Sequence, residues 1–182
     1  MNIGLVTIGA ELLNGTRIDT NAGWIGTQVT LHGGKVIWHT TISDNQNDIK
    51  EALNTMPKSI KTIICTGGLG PTHDDITSST LFNYFNVKTE FDSEYWDLLS
   101  EKFAKRGIKI PNSNKNQAIK PCASSGNVIP NSLGSARGLH LNNDVFDLFA
   151  LPGVPSEMKM MMEEYVLPWI CLLYTSPSPR DS

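Results

Sequence analysis

The chain has 182 residues and a formal net charge of −3, from 15 basic and 18 acidic side chains. Because its lysines and arginines are scattered along the sequence, no basic patch indicates nucleic acid as a partner. No apolar run approaches the roughly 20 residues that a membrane-spanning helix requires. The three cysteines are too widely spaced to suggest a disulfide framework or a zinc site. We expect one soluble, cytoplasmic domain with no nucleic-acid or membrane partner.

Short apolar runs alternate with amphipathic segments through the first hundred residues. The predicted strands cover residues 3–8, 36–41 and 62–65 and are rich in β-branched side chains. The predicted helices cover residues 20–32, 49–56, 76–85 and 94–106, and glycine or proline follows most of their ends. This alternation is typical of a parallel sheet with helices on both faces.

The pattern changes after the fourth helix. Residues 109–127 are polar and rich in asparagine, and they predict an irregular loop. Residues 138–141 and 145–151 then predict two strands joined by a turn of Asn and Asp, which is a β-hairpin. We therefore predict an α/β fold, a three-layer sandwich with a mostly parallel central sheet plus a C-terminal β-hairpin.

A last helix is predicted to begin near Pro155. Met158, Met161, Met162 and Tyr165 form one stripe along it. Methionines at this spacing are typical of a packed core rather than of a metal or cofactor site.

The segment from Thr66 to Thr77, TGGLGPTHDDIT, is the most informative part of the sequence. It joins the third strand to the third helix, where glycines let the backbone approach a ligand closely and helix amides attract an anion. It matches neither the Walker A loop nor the dinucleotide fingerprint, because the required lysine and third glycine are absent. The glycines could also serve only a tight connection.

Polar loops follow four of the predicted strands, those that end near Ile8, Thr41, Cys65 and Leu151. In open α/β sheets, ligands bind beyond the carboxyl ends of the strands. Because these loops would meet at one edge of the sheet, we predict a binding site there.

Asp44 and Asp75 are the predicted catalytic residues and the predicted metal ligands. Each follows a strand, so their carboxylates could share Mg²⁺ or a similar ion with a phosphate, or one of them could orient water. Each could instead be a helix N-cap, worth about 1 kcal/mol. Asp19 has the same alternative, and Glu157 lies in the first turn of a helix, where a carboxylate is favoured in any case.

Four segments in register resemble the molybdopterin-binding, MoaB/Mog-like domain in the version found at the N-terminus of the CinA family. They are residues 7–21, residues 66–77, residues 116–121 and residues 151–158. The resemblance covers residues 1–170 and implies a small phosphorylated ligand, either a nucleotide or a pterin such as molybdopterin, and a homo-oligomer. It also implies metal-dependent hydrolysis of ADP-ribose to AMP and ribose 5-phosphate.

The predicted substrate-binding residues come from these segments. They are Gly9, Glu11, Gly15, Asp19, Asn21, Gly67, Gly68, Gly70, Thr72, Thr77, Pro152, Gly153 and Glu157. Three hypotheses stay open: an ADP-ribose pyrophosphatase, a pterin- or nucleotide-binding module without turnover, and a regulatory domain with a relic site. The second includes the N-terminal part of a longer nicotinamide-nucleotide amidase of this family.

Two parts of the sequence depart from the family pattern. Arg137 stands where the family usually has proline, so this loop either differs in shape or recruits a phosphate. Residues 171–182 show no helical or strand period and resemble translated adapter sequence. We expect this tail to be non-native and disordered.

Overall fold

This computed structural model describes residues 1–175 of the chain. They form a six-stranded sheet, a separate two-stranded sheet and the helices that surround them. The strands are β1 (Asn2–Ile8), β2 (Lys35–Ile42), β3 (Thr62–Thr66), β4 (Thr89–Phe91), β5 (Ile119–Pro121), β6 (Asn127–Ile129), β7 (Gly138–Asn142) and β8 (Asp147–Leu151). The helices are α1 (Ala10–Leu13), α2 (Thr20–Leu31), α3 (Gln46–Thr55), α4 (Thr77–Tyr84), α5 (Ser93–Ala104), α6 (Pro155–Met161) and α7 (Leu167–Thr175). A 3₁₀ helix covers Asn112–Ala118, and a π-helical turn covers Met162–Val166.

The strand order is β2-β1-β3-β8-β7-β6, and the first four strands run parallel. β7 runs antiparallel to both β8 and β6. The predicted hairpin is therefore present, but its second strand, β8, is a central strand paired with β3. Because β1, β2, β3 and β8 are parallel, their carboxyl ends and following loops share one edge.

Two apolar cores, one on each face of the sheet, make the fold three layers deep. Val6, Ile63 and Leu148 pack on one face against α3 and α4. Leu5 and Phe149 pack on the other face against α2, α6 and α7. Neighbouring residues of one strand thus pack into different cores. Because both faces of the sheet are buried, the sequences of the central strands are continuous apolar runs. The predicted three-layer α/β fold is confirmed.

Side-chain caps set the starts of three helices. Asp19 Oδ1 accepts a hydrogen bond from Ala22 N at 2.9 Å and begins α2. Asn45 and Asp92 cap α3 and α5 in the same way. These bonds satisfy amide groups that have no partner within the helix.

The prediction of an irregular loop over residues 109–127 is wrong, because this segment contains regular structure. The 3₁₀ helix and β5 lie within it, and β6 begins at its end. β5 pairs with β4, a strand that the sequence did not indicate, in a separate two-stranded antiparallel sheet. These elements are short and depend on long-range bonds, such as Asp92 N to Ala118 O at 2.7 Å. They lack the periodicity on which prediction rests.

The last predicted helix begins at Pro155, but a π-helical turn divides it. Leu167 N donates to Met162 O, five residues back, and Pro168 follows with no amide hydrogen to donate. α7 then continues to Thr175, so the prediction of no regular structure after Ile170 is wrong for residues 171–175. The remainder of the predicted tail, residues 176–182, lies outside the described residues. No helix in the described part of the chain is long and apolar enough to cross a membrane.

The methionine stripe is confirmed as core. Met158, Met161 and Met162 are each at most 1% exposed.

We predict that Met158→Ala lowers the free energy of unfolding by about 2–5 kcal/mol, because it leaves a cavity between α6 and the sheet. Urea denaturation would measure this, with Ser156→Ala, an exposed position on the same helix, as the control. A loss below about 0.5 kcal/mol would show that this face of the sheet is not tightly packed.

Candidate functional site

A cleft of about 420 Å³ opens at the edge of the sheet where the parallel strands end. The loops after β1, β2, β3 and β8 all contribute to its lining, as the strand order requires. The predicted site residues that line it are Glu11, Asp19, Asn21, Asp44, Gly67, Gly68, Gly70, Asp75, Pro152, Gly153 and Glu157. The predicted convergence of four loops is therefore present.

The loop after β3 crosses the end of β1 at close range. Gly67 has φ +105°, and a Cβ there would lie 2.2 Å from Ile8 O. Its amide donates to Leu151 O at 3.0 Å, at the end of β8. Only glycine combines this φ with so close an approach. The cleft floor is thus tied to the ends of three parallel strands.

Gly68 folds the same loop over the start of α4. Its φ is +68°, and a Cβ would lie 2.1 Å from Thr77 Oγ1. Thr77 N donates to Gly68 O at 3.1 Å, while Thr77 Oγ1 is buried and has no hydrogen-bond partner among the described residues. Thr77, predicted to bind substrate, lies beneath the loop and does not line the cleft.

Asp75 stabilises the loop rather than the helix. Its Oδ2 accepts from Thr72 N at 2.8 Å and from the Thr72 hydroxyl. The N-cap residue of α4 is Ile76, which makes no side-chain capping bond. The helix-capping alternative for Asp75 is therefore wrong, and its Oδ1 has no hydrogen bond to any described residue.

Asp44 does not cap α3, the helix that follows it. Asn45 caps α3, and Asp44 Oδ2 instead accepts from Ala10 N at 3.1 Å, which joins the β2 loop to the β1 loop. Its Oδ1 lies 3.7 Å from the position of a Cβ on Gly68. The carboxylate thus lies directly beside the glycine loop.

Asp19 and Asn21 also line the cleft. The capping alternative for Asp19 is confirmed, and its second oxygen, Oδ2, is buried 3.8 Å from His39 Nε2. Asn21 Nδ2 donates to Gly153 O at 2.9 Å, whereas its Oδ1 is buried without a partner in the described part of the chain. Asn21 therefore joins α2 to the loop after β8.

Three other predicted residues do not line the cleft. Gly9 begins α1 and donates to Ile42 O at 2.9 Å. Gly15 is exposed in a turn at φ +75°, with open space where a Cβ would be. Thr72 faces a second, adjoining cavity.

Sequence reasoning did not select Arg17, Gln117, Ser135 or Ala136, which also line the cleft. Ser135 and Ala136 precede β7, which runs antiparallel, so the start of β7 lies at the edge where β8 ends. A search restricted to loops after strands passes over such residues. Gln117 lies within the resembling segment 116–121, which could have indicated it.

Arg137 supports the outer wall of the cleft, which is formed by Gln117, Ser135 and Ala136. Its side chain is 9% exposed, and Nη1 donates to Asp92 Oδ2 at 2.7 Å. Nη2 donates to Gln117 O at 3.3 Å, and the guanidinium lies 3.7 Å from the centre of the Tyr95 ring. Tyr95 in turn donates to Ser135 O at 2.7 Å. Because its charge is matched by Asp92, Arg137 joins the elements that form this wall.

The Asp92 pKa reflects this pairing. Burial opposes ionisation, but the hydrogen bonds from Arg137 and Tyr95 N and the charges of Arg137 and Lys120 outweigh it. The pKa of Asp92 is therefore lower than its ordinary value.

Burial raises the pKa of the Cys65 thiol in β3 to about 12, so this cysteine stays protonated and is a core residue.

Comparison with known proteins agrees with this geometry. Residues 4–171 match a family model described as "Probable molybdopterin binding domain". The chain belongs to this molybdopterin-binding domain family, in the form found at the N-terminus of CinA proteins. A CinA-like protein of Geobacter sulfurreducens is 38% identical over 170 residues, which are 93% of this chain and 41% of the relative. One from Citrifermentans bemidjiense is 39% identical over 169 residues, which are 92% and 40%. The chain thus spans about two fifths of the length of these relatives.

Solved structures show the same fold. The CinA protein of Thermoplasma acidophilum has a TM-score of 0.78 and 28% identity, covering 89% of this chain and 94% of that one. The tungsten cofactor synthesizing protein MoaB of Pyrococcus furiosus has a TM-score of 0.60 and 17% identity, covering 95% and 94%. At that identity the second match supports the MoaB/Mog-like fold alone.

We predict that Gly68→Ala destabilises the domain by more than the strain of its positive φ, about 1–3 kcal/mol, because the new methyl group meets the Thr77 hydroxyl. Gly15→Ala is the matched control, with a similar φ and open space around it. The free energies of unfolding of both variants would be measured in urea. Equal losses would mean that the loop can move away from Thr77.

We predict that Arg137→Gln lowers stability at pH 7 by about 3 kcal/mol, because it leaves the largely buried Asp92 carboxylate without its main partner. A lowered folded-state pKa stabilises the protein above the unfolded value, and this contribution is lost as pH falls. The difference between wild type and variant should therefore shrink below about pH 4. Urea denaturation from pH 7 to pH 3 would measure it, and a constant difference would contradict the role of the ion pair.

Proposed function

We propose that the cleft binds a nucleotide through its phosphates and hydrolyses the pyrophosphate bond of ADP-ribose to AMP and ribose 5-phosphate with a divalent metal ion. One observation supports this most directly: Asp44 and Asp75, from two different strand ends, line the same cleft as the glycine loop. Acidic groups beside an anion-binding loop favour chemistry at a phosphate through a shared cation.

The glycine loop supplies the anion site. Gly68 and Gly70 line the cleft, where the absence of side chains exposes backbone amides to a phosphate, whereas the Gly67 amide is already bonded to Leu151 O. Arg17, on the loop after β1, is exposed and lines the same cleft, so it is available to a phosphate oxygen. These groups would hold a pyrophosphate against the floor of the cleft.

The charge of the cleft requires a further cation. Five carboxylates line it, those of Glu11, Asp19, Asp44, Asp75 and Glu157, and Arg17 is the one lysine or arginine among its described lining residues. A pyrophosphate would be repelled unless a cation neutralised part of this charge. The acidic lining thus favours a ligand that arrives with a divalent ion.

The donor set fits an ion shared with the substrate. The described residues contain no cluster of three or more acidic, histidine or cysteine side chains that could hold a metal alone. Mg²⁺ commonly binds through one or two carboxylates together with substrate phosphates. Asp44 and Asp75 would hold the ion in this way, and it would neutralise charge on the phosphates during bond cleavage.

The hydrogen bonds of the two carboxylates leave one oxygen of each for this task. Asp44 uses Oδ2 to bind Ala10 N, and Asp75 uses Oδ2 to bind Thr72. These bonds fix both side chains in place, which lowers the cost of ordering them when substrate binds. Oδ1 of either residue could contact the cation or accept a proton from the attacking water.

A second candidate is a domain that binds a pterin without turnover. The description of the matching family supports it, since that description names molybdopterin. The same cleft would hold the pterin phosphate on the glycine loop. ADP-ribose hydrolysis is favoured because the paired carboxylates have a use in it that simple binding does not require.

We predict that purified protein releases AMP from ADP-ribose when Mg²⁺ is added and that EDTA stops the reaction. Asp75→Asn and Asp44→Asn should each lower kcat/KM by at least about 100-fold, because each removes negative charge from the proposed cation site. Chromatography of the released AMP would measure the rates.

Asp74→Asn is the matched control, since Asp74 is exposed, adjacent to Asp75 and absent from the cleft lining. Its rate should stay within about twofold of wild type. Pterin binding by fluorescence, measured on the same samples, separates the two candidates. Tight pterin binding without release of AMP would support the binding domain and contradict the hydrolase.

A further inference from the structure

Three side chains in the outer wall of the cleft are joined in a row by hydrogen bonds. Asn114 Nδ2 donates to Gln117 Oε1 at 2.9 Å, and Gln117 Nε2 donates to Ser135 Oγ at 3.1 Å. Asn114 and Gln117 are 3% and 8% exposed, whereas Ser135 is half-buried and lines the cleft. The row therefore runs from the interior of the protein to the surface that a ligand would meet.

The direction of these bonds determines what the Ser135 hydroxyl group can do. An amide nitrogen only donates a hydrogen bond, and an amide oxygen only accepts one. Because Gln117 Oε1 is bound to Asn114, Gln117 turns its Nε2 to Ser135, whose oxygen is the acceptor. The hydroxyl group keeps its own hydrogen, and no residue in the described part of the chain accepts it. Ser135 therefore offers a hydrogen-bond donor to the cleft.

The backbone around Ser135 is held in place as well. Ser135 O accepts from the Tyr95 hydroxyl at 2.7 Å. Asn131 Oδ1 accepts from Gly134 N at 2.8 Å, and Asn131 Nδ2 donates to Ala136 O at 2.8 Å. Hydrogen bonds thus fix the residue before Ser135, Ser135 itself and the residue after it. A donor that is ordered in advance loses little conformational entropy when a ligand binds.

This part of the wall meets the end of the glycine loop. Asn116 Nδ2 donates to Gly70 O at 3.5 Å, one residue before Gln117. Gln117, Ser135 and Gly70 all line the cleft. The Ser135 hydroxyl group therefore lies on the wall that joins the loop to which the proposed function assigns the phosphates.

A donor at this position suits a phosphate better than it suits a sugar. The five carboxylates that line the cleft only accept hydrogen bonds when they are ionised. A sugar hydroxyl group can donate to any of them, whereas the oxygens of an ionised phosphate can only accept. A hydroxyl hydrogen held in the outer wall is therefore complementary to a phosphate oxygen.

We propose that Ser135 is a further substrate-binding residue, which donates its hydroxyl hydrogen to a phosphate oxygen, and that Gln117 is the positioning residue that directs this hydrogen into the cleft. This inference rests on the proposed function and deepens it, since it adds a contact from the outer wall to the phosphates. Asn114 takes part by holding the Gln117 amide in the required orientation.

Removing and restoring the hydroxyl group tests the first half of the proposal. We expect Ser135→Ala to raise the Kd for inorganic pyrophosphate with Mg²⁺, and the KM for ADP-ribose, by at least about tenfold. Ser135→Thr keeps the hydroxyl group and should stay within about threefold of wild type. Calorimetry would measure the Kd, and chromatography of released AMP would give the KM.

Ser132→Ala is the matched control, because Ser132 is exposed in the same loop and does not line the cleft. It should change the Kd for pyrophosphate by less than about twofold. Urea denaturation would show that each variant is folded. Equal losses in Ser135→Ala and Ser135→Thr would mean that the shape of the wall, rather than the hydroxyl hydrogen, affects binding, and would overturn the proposal.

Gln117→Glu tests the positioning role with little change in shape. One carboxylate oxygen would still accept from Asn114, and the other, in the place of Nε2, would accept the Ser135 hydrogen and turn it away from the cleft. The Kd for pyrophosphate should therefore rise at least about tenfold, although Ser135 keeps its hydroxyl group.

A double-mutant cycle separates this effect from that of the added negative charge. If Gln117→Glu acts through the Ser135 hydrogen, it should raise the Kd by no more than about threefold in a protein that already carries Ser135→Ala. A charge that simply repels the ligand would weaken binding equally with and without the serine. Equal effects in the two backgrounds would thus contradict the positioning role of Gln117.

The remaining outcomes distinguish this inference from the function on which it rests. An unchanged Kd for pyrophosphate in Ser135→Ala would overturn the phosphate contact, even if the KM for ADP-ribose rises, because the hydroxyl group would then bind another part of the substrate. Release of AMP by wild type would leave the proposed hydrolase intact in that case. If wild type neither binds pyrophosphate nor releases AMP, the proposed function fails, and this inference fails with it.

Discussion

The close contact between Gly67 and the end of β1 is the constraint on which the rest of the site depends. The loop after β3 passes Ile8 O closely, and the Gly67 amide holds it there by donating a hydrogen bond to Leu151 O at the end of β8. Three parallel strands are thereby joined at their carboxyl ends, and Asp44 completes the arrangement from β2 through Ala10 N. The cleft exists because backbone groups, rather than long side chains, fix the relative positions of these loops.

That floor brings several carboxylates together beside the glycine loop. They would repel a phosphate bound on the loop unless a cation entered with it. Binding of the ion and binding of the nucleotide would then depend on each other, since the ion would neutralise the negative charge that repels the nucleotide and the phosphates would supply further ligands to the ion. This interdependence would make the empty cleft a weak site for either partner alone, and it would favour metal–nucleotide complexes over free nucleotides.

The sequence predicted most of the fold because its long elements carry clear periodicity and clear ends. The strands around Ile63 and Phe149 and the cap at Asp19 were all foreseen from local pattern. Short elements such as β4 were not predicted, because a strand of three residues shows no periodicity and its pairing depends on a distant strand. In the site, most of the lining residues named after parallel strands were found, although Arg17 was not. Ser135 was missed because only the antiparallel direction of β7 brings it to the same edge.

Side-chain hydrogen bonds hold the outer wall of the cleft, whereas backbone contacts hold its floor. Gln117 is held from three directions: its Oε1 accepts from Asn114, its Nε2 donates to Ser135, and its carbonyl accepts from Arg137. All of these bonds involve side chains, and they join loops that the sheet does not otherwise connect. A single substitution can therefore reshape the wall without disturbing the strands. In this chain Arg137 stacks on Tyr95 and pairs with Asp92, so an ion pair holds this wall in place. The floor would then determine the chemistry that the site performs, and the wall would determine which ligand reaches it.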